Sequence, residues 1–137
     1  MRRLLFTLVA TMALSSGALS SGGALAEDAA RSGYDLGDFQ LRSGQDLVDI
    51  CTLSPNHPDY HVARAFCLGF MEGAGQLHNV LASGPGFDPY FCAPKGISLD
   101  QVVTVYTSFA TKNPQYMNER AIDSLVRAVA NKWPCGK

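Results

Sequence analysis

The sequence predicts a small all-α protein, a bundle of four or more helices built from two disulfide-linked helical hairpins. Three observations predict it. Apolar residues recur at three- and four-residue spacing in successive segments, Ser-x-x-Asp and Ser-x-x-Gln pairs stand where such segments begin, and four cysteines flank the segments.

Residues 1–26 have the pattern of a secretory signal peptide. Arg2 and Arg3 precede an apolar run from Leu4 to Leu14, and Ala24-Leu25-Ala26 supplies small residues at the cleavage point. The run is shorter than the ~20 apolar residues that span a bilayer, so no stable membrane insertion is expected after cleavage. No cysteine lies near the cleavage point to accept a lipid, and the paired arginines lack the rest of a twin-arginine signal. The expected mature chain, residues 27–137, has room for one hydrophobic core and not for two domains.

With Arg2 and Arg3 in the leader, 9 basic residues face 12 acidic ones, about −3 in net charge. A mildly acidic chain without a Lys/Arg cluster is a poor match for nucleic acid.

Cys51, Cys67, Cys92 and Cys135 all lie in the mature part. An even count in an oxidising compartment predicts two disulfides. Zinc sites use close pairs such as C-x2-C, whereas the closest pair here is 16 apart.

Residues 27–43 hold two glycines, several aspartates and no periodicity, so they are expected to be a loosely ordered lead-in to a helical domain over 44–137. A first short helix begins at Ser43 or Gly44, with Ser43 and Asp46 as a capping pair and Leu47, Ile50 and Cys51 on one face. Pro55 and Pro58 bound it. A second helix runs from about Asp59 to Ala82, with Tyr60, Ala63, Cys67, Phe70, Ala74, Leu77 and Leu81 as its inward stripe. Gly69, Gly73 and Gly75 each cost roughly 1 kcal/mol against alanine in a helix interior. Gly69 and Gly73 share a face, where missing side chains admit close packing of another helix; the alternative is a bend or break near Gly73-Ala74-Gly75.

Residues 83–96 contain three prolines and three glycines and cannot form a regular element. Their aromatics, Phe87, Tyr90 and Phe91, either fold back onto the core or anchor a partner, and burial is the expectation on apolarity alone. The third helix follows Ser98, answered by Gln101, with Ile97 positioned to staple against Val102. Its apolar face is Val102, Val103, Tyr106, Phe109 and Ala110. Asn113-Pro114 is expected to end it and to open a fourth helix directly, whose stripe is Met117, Ala121, Ile122, Leu125, Val126 and Val129.

A tight connection at Asn113-Pro114 makes helices three and four an antiparallel hairpin. Such a hairpin brings Cys92 and Cys135 together, and by the same logic Cys51 and Cys67 link the first two helices; four cysteines allow three connectivities, and the crossed ones stay open. Chain-entropy arithmetic gives ~3 kcal/mol for the shorter closed loop and ~4 for the longer.

No residue set for catalysis stands out, and no cofactor is expected. His57 and His61 have helical ligand spacing, but Pro58 places a helix start between them, no H-E-x-x-H pattern occurs, and no metal site is assigned. His78 lacks a nucleophile, since Ser83 has no G-x-S-x-G elbow. Glu72, among glycines, is expected to face solvent. The Gly69–Gly75 run follows no strand and is no phosphate loop. The expectation is therefore that the chain is not an enzyme.

One ordered set of motifs carries a resemblance. Asp46-Leu47 precedes Cys51; Cys67-Leu68-Gly69-Phe70-Met71-Glu72-Gly73 follows, then Phe91-Cys92-Ala93-Pro94-Lys95-Gly96-Ile97-Ser98, Asn113-Pro114 and Trp133-Pro134-Cys135. Together, over residues 44–135, they resemble the Rap/Tai immunity proteins of type VI secretion systems. The resemblance implies a periplasmic helical protein, often a homodimer, that binds a peptidoglycan amidase delivered by neighbouring cells. That effector is papain-like, with a cysteine and a histidine, and the immunity protein fills its substrate groove in part with a projecting loop. Under this reading the loop at 83–91, with Phe87, Asp88, Tyr90 and Phe91, is the contact surface. Asn56-His57-Pro58 lengthens the first connection and offers a second loop for that role. A general periplasmic binding or acid-stress chaperone-like protein, using an apolar helical face, is the alternative.

Overall fold

The computed structural model describes residues 33–136; the expected signal peptide and the first residues of the lead-in lie outside them. Four α-helices and two short 3-10 turns make up the described residues, and none of those residues forms a strand. The α-helices are α1 (Gly44–Cys51), α2 (Tyr60–Ala82), α3 (Leu99–Lys112) and α4 (Ala121–Lys132). One 3-10 turn spans Leu36–Gln40 and the other Pro114–Tyr116.

Both expected capping boxes form. At α1 the Asp46 N–H donates to Ser43 Oγ at 3.2 Å and the Ser43 N–H to Asp46 Oδ2 at 3.3 Å. At α3 the same exchange links Gln101 and Ser98 at 3.2 and 2.8 Å. Each box satisfies helix-start N–H groups that no intrahelical carbonyl can reach.

The lead-in is ordered from Gly33 onward, contrary to expectation. Asp35 and Asp38 form a third capping box, Asp38 is fully buried, and Leu41 closes the turn in the left-handed region at φ 49°. Tyr34, Phe39 and Leu41 pack against the core. Tyr34 donates to Asp59 at 3.2 Å, and Phe39 meets Phe66 edge-on at 5.0 Å. The segment is too short to show a period, so its order comes from contacts distant in sequence.

At the other connection, Pro114 opens a 3-10 turn instead of α4. The Asn113 side chain reaches back to the Phe109 carbonyl at 2.9 Å instead of capping forward. Met117, expected on α4, is buried from the linker, and α4 turns Ala121, Ser124, Leu125, Ala128 and Val129 inward. Ile122 stays 38% exposed.

The short helix α1 is central, touching the first 3-10 turn and each of α2, α3 and α4. Its Gly44 N–H donates to the Glu119 carbonyl at 2.8 Å and the Gln45 N–H to Met117 at 3.0 Å. Tyr106 on α3, fully buried, donates its hydroxyl to the Gly44 carbonyl at 2.7 Å, with Ser124 Oγ of α4 at 3.0 Å. A side chain at Gly44 has no room: a Cβ there would lie 2.6 Å from Ser124 Oγ. Three helices thus meet at one glycine.

On α2 the buried residues are Ala63, Cys67, Met71 and His78. Leu77 and Leu81, expected inward, are 61% and 44% exposed. The helix continues through its glycines without a break. A Cβ on Gly69, Gly73 or Gly75 would meet nothing within 4 Å, so no other helix of the described residues packs on them.

Cys51 pairs with Cys67 and Cys92 with Cys135. The first bond ties α1 to α2, and the second ties the residues before α3 to those after α4. The fold is the expected small all-α bundle of two cross-linked hairpins.

Candidate functional site

Residues 83–98 leave α2, cross one end of the bundle and enter α3. They hold no helical or strand element, so their conformation rests on a few anchors. The Ser83 N–H still donates to Asn79 and the Gly84 N–H to Leu81, both at 3.1 Å. The chain then turns at Gly86, with φ +82°, and again at Gly96, with φ +81°, positions that only glycine occupies without strain.

His78 holds the residues just before Cys92. Its ring, buried on α2, stacks on Phe91 at 3.8 Å and 13°. The Tyr90 N–H donates to its Nε2 at 3.2 Å. Phe87 stands edge-on to the same imidazole at 6.1 Å and to Tyr90 at 5.1 Å. Cys92 anchors the second half through its disulfide with Cys135 and a 2.8 Å bond from its N–H to the Trp133 carbonyl.

The four residues singled out from the sequence therefore come together but divide in role. Phe91 packs against the core and Phe87 is half-buried, whereas Asp88 is exposed and Tyr90 is 61% exposed. Aromatic burial and aromatic presentation, posed as alternatives, occur in one loop. Beneath it lies a cavity of about 540 Å3 bordered by Met71, His78, Phe91, Ile97, Val102 and Val129. On the α4 side Tyr90 borders a shallow hollow with Arg120, Asp123 and Arg127.

Ser83 does not pair with His78, because its hydroxyl bonds the Asn79 carbonyl at 2.7 Å. Its role as the loop's platform is not visible in the sequence, where the aromatics follow nine to thirteen residues later. Glu72 is exposed and accepts from Gln76 at 2.8 Å. His57 lies before α2, where its Nδ1 accepts from the Asp59 N–H at 3.1 Å, so it does not share a helical face with His61. Among the described residues no three His, Cys, Asp or Glu side chains converge as metal ligands. The 52–59 connection is pinned to the ordered lead-in by the Tyr34–His57 ring contact at 5.2 Å.

Fold and site together define a small, disulfide-bridged helical protein whose irregular surface is an aromatic loop held at both ends. The sequence profile of the family described as Rap1a immunity proteins matches residues 43–135, more than half of the chain. The chain belongs to that family, whose members act on secreted effectors by binding and are not an enzyme family. Comparison with curated proteins and with solved structures returns no match. The two disulfides fit an oxidising compartment, and among the described residues no helix is long and apolar enough to cross a membrane.

Proposed function

We propose that the chain, exported to the periplasm and cleaved after Ala26, is an immunity protein that inhibits a type VI secretion peptidoglycan amidase by seating the 83–91 loop in its active-site groove. One observation carries this reading: a long irregular stretch of the described domain is tied to α2 where it begins, through the Ser83 and Gly84 N–H groups, and is pinned at Tyr90–Cys92 by His78 and by Cys92–Cys135, with Asp88 and Tyr90 exposed. A loop ordered before binding loses less freedom on association, and an exposed tyrosine brings a large, rigid contact area. Inhibition by occupation asks no chemistry of the inhibitor.

The test pairs the oxidised protein with the candidate amidase in a muropeptide-cleavage assay. Saturating protein stops cleavage. Tyr90→Ala leaves folding stability within about 0.5 kcal/mol, as exposed substitutions do, and weakens binding by more than about 1 kcal/mol, as truncating an interface anchor does. Cleavage that continues under saturating wild-type protein would overturn the proposal.

A homodimer belongs to the same proposal. Val62, Phe66, Leu77 and Val80 are exposed on α2, in one stripe that passes over the open Gly69 and Gly73. Reversing α2 about Met71 sets Val62 against Val80 and Gly69 against Gly73, so the stripe is self-complementary under a two-fold axis. The chaperone-like reading uses the same stripe for partly folded clients. Sedimentation separates them: a tight dimer supports pairing, whereas a monomer that captures unfolded chains supports the alternative.

A further inference from the structure

We propose that the cavity beneath the aromatic loop binds a single-chain zwitterionic phospholipid, with the acyl chain inside and the head group at the mouth. The site stands independently of the amidase reading.

The cavity measures about 540 Å3, inside the ~300–1,000 Å3 range of small-molecule sites. It lies where the later turns of α2, the 89–97 stretch, the start of α3 and one face of α4 border a common space. Met71, Phe91, Ile97, Val102, Leu125 and Val129 make its walls apolar, so a hydrocarbon chain gains by leaving water for it. Gly75 adds a second observation. A glycine inside a helix weakens it, and a Cβ on Gly75 would meet nothing within 4 Å, so no neighbouring element requires the glycine. Gly75 does border the cavity, and a larger side chain there would compete for that space.

The mouth selects the head group. Among the lining residues, Glu72, Gln76 and Asn79 of α2 and Lys95 of the loop are polar and exposed. One charge of each sign therefore stands there, each on a different wall. Glu72 accepts from Gln76 through Oε1, and Lys95 has no ion pair among the described residues. A phosphate complements Lys95 and an ammonium complements Glu72. A head of a single sign, whether carboxylate or alkylammonium, would meet one like charge at the mouth. Chain and head together describe a monoacyl phospholipid with an ethanolamine head.

The experiment titrates the oxidised protein with tetradecanoyl lysophosphatidylethanolamine below its micelle concentration, followed by calorimetry and by methyl NMR. One lipid binds per chain, and the methyl shifts centre on Met71, Ile97, Val102 and Val129. Shortening the acyl chain by two methylenes weakens binding roughly tenfold. Tetradecanoate and tetradecyltrimethylammonium bind roughly two- to fivefold more weakly than the zwitterion, and Lys95→Gln or Glu72→Gln weakens the zwitterion by the same factor, the size of an exposed charge pair. Gly75→Phe sets a ring at the cavity wall and weakens binding roughly tenfold, the worth of two methylenes, with far-UV circular dichroism reporting its fold. The wild-type protein alone can overturn the site. No binding below the micelle concentration, affinity independent of chain length, or equal affinity for all three heads would each do so. Shifts centred instead on the exposed Val62 and Val80 of α2 would also end the proposal, because the lipid would then be adsorbed on the outer stripe.

Discussion

The two disulfides make the same bond at opposite ends of the molecule and do different things. Cys51–Cys67 joins helices that already touch; Cys67 is fully buried and the bond closes a separation of 16 residues. Cys92–Cys135 lies at the surface, spans 43 residues, and tethers a stretch with no regular structure of its own. At the α1 end, conformation follows from packing and from the Gly44–Tyr106–Ser124 meeting point. At the loop end, it follows from a cross-link and one histidine. Order generated by packing resists local change, whereas order supplied by anchors is lost when an anchor is lost.

The comparison breaks most sharply at the surface bridge. Replacing Cys92 and Cys135 by alanine lowers unfolding free energy by ~4 kcal/mol, against ~3 for the Cys51/Cys67 pair, if chain entropy dominates. The surface pair alone also abolishes amide protection in the loop while far-UV circular dichroism stays helical. Equal losses of loop protection in both double variants would show that the two ends are not separate.

Gly44→Ala tests the packed end. A Cβ 2.6 Å from Ser124 Oγ and 3.2 Å from Met117 Cα must push backbone or helix α4 aside, at a cost of about 3 kcal/mol in urea unfolding. Loop protection in the folded fraction stays unchanged.

Tyr106→Phe follows, at about 2 kcal/mol, because the buried Gly44 carbonyl loses the phenol that donates to it and Ser124 keeps only its bond to the Ala121 carbonyl. Burial pushes the Tyr106 phenol up to about 12. The unfolded chain therefore releases this proton first, from about pH 10. Wild-type stability falls between about pH 10 and 12 from this group, and the phenylalanine variant lacks that part of the alkaline slope.

Gly73→Ala has the smallest effect and the opposite sign. With open space above it, the substitution stabilises α2 by about 0.5–1 kcal/mol in the monomer. If α2 pairs with a second copy, the same methyl weakens the dimer in sedimentation, and the two measurements move in opposite directions.

Legibility followed the range of the interactions. The caps at Ser43 and Ser98 were readable because a hydroxyl and a carboxylate or amide three residues apart suffice to satisfy a helix start. The disulfide partners were readable because hairpins bring their own ends together. The Asp35–Asp38 box has no periodic segment behind it that would mark it in the sequence. Leu77 and Leu81 continue the apolar stripe of α2 yet stay exposed, since a 3.6-residue period marks an apolar face without stating which side of it meets a neighbour. At Asn113-Pro114 the signal for a helix end was correct, but the next helix waits until Ala121 because residues 117–119 are used to receive α1. Of the loop residues, Phe87, Asp88, Tyr90 and Phe91 were readable as a group; His78, their platform, was not.

By itself, the sequence determined the helical class, the starts of α1 and α3 and a preferred pairing of the cysteines, all of which depend on groups close along the chain or on hairpin closure. Only the tertiary structure decided that Gly44 is the crowded glycine and Gly73 the open one, that the chain from Gly33 to Ser43 packs on the core, and that His78 holds Tyr90. Those outcomes depend on which surfaces meet after the chain has folded back on itself, and no local period or spacing encodes that.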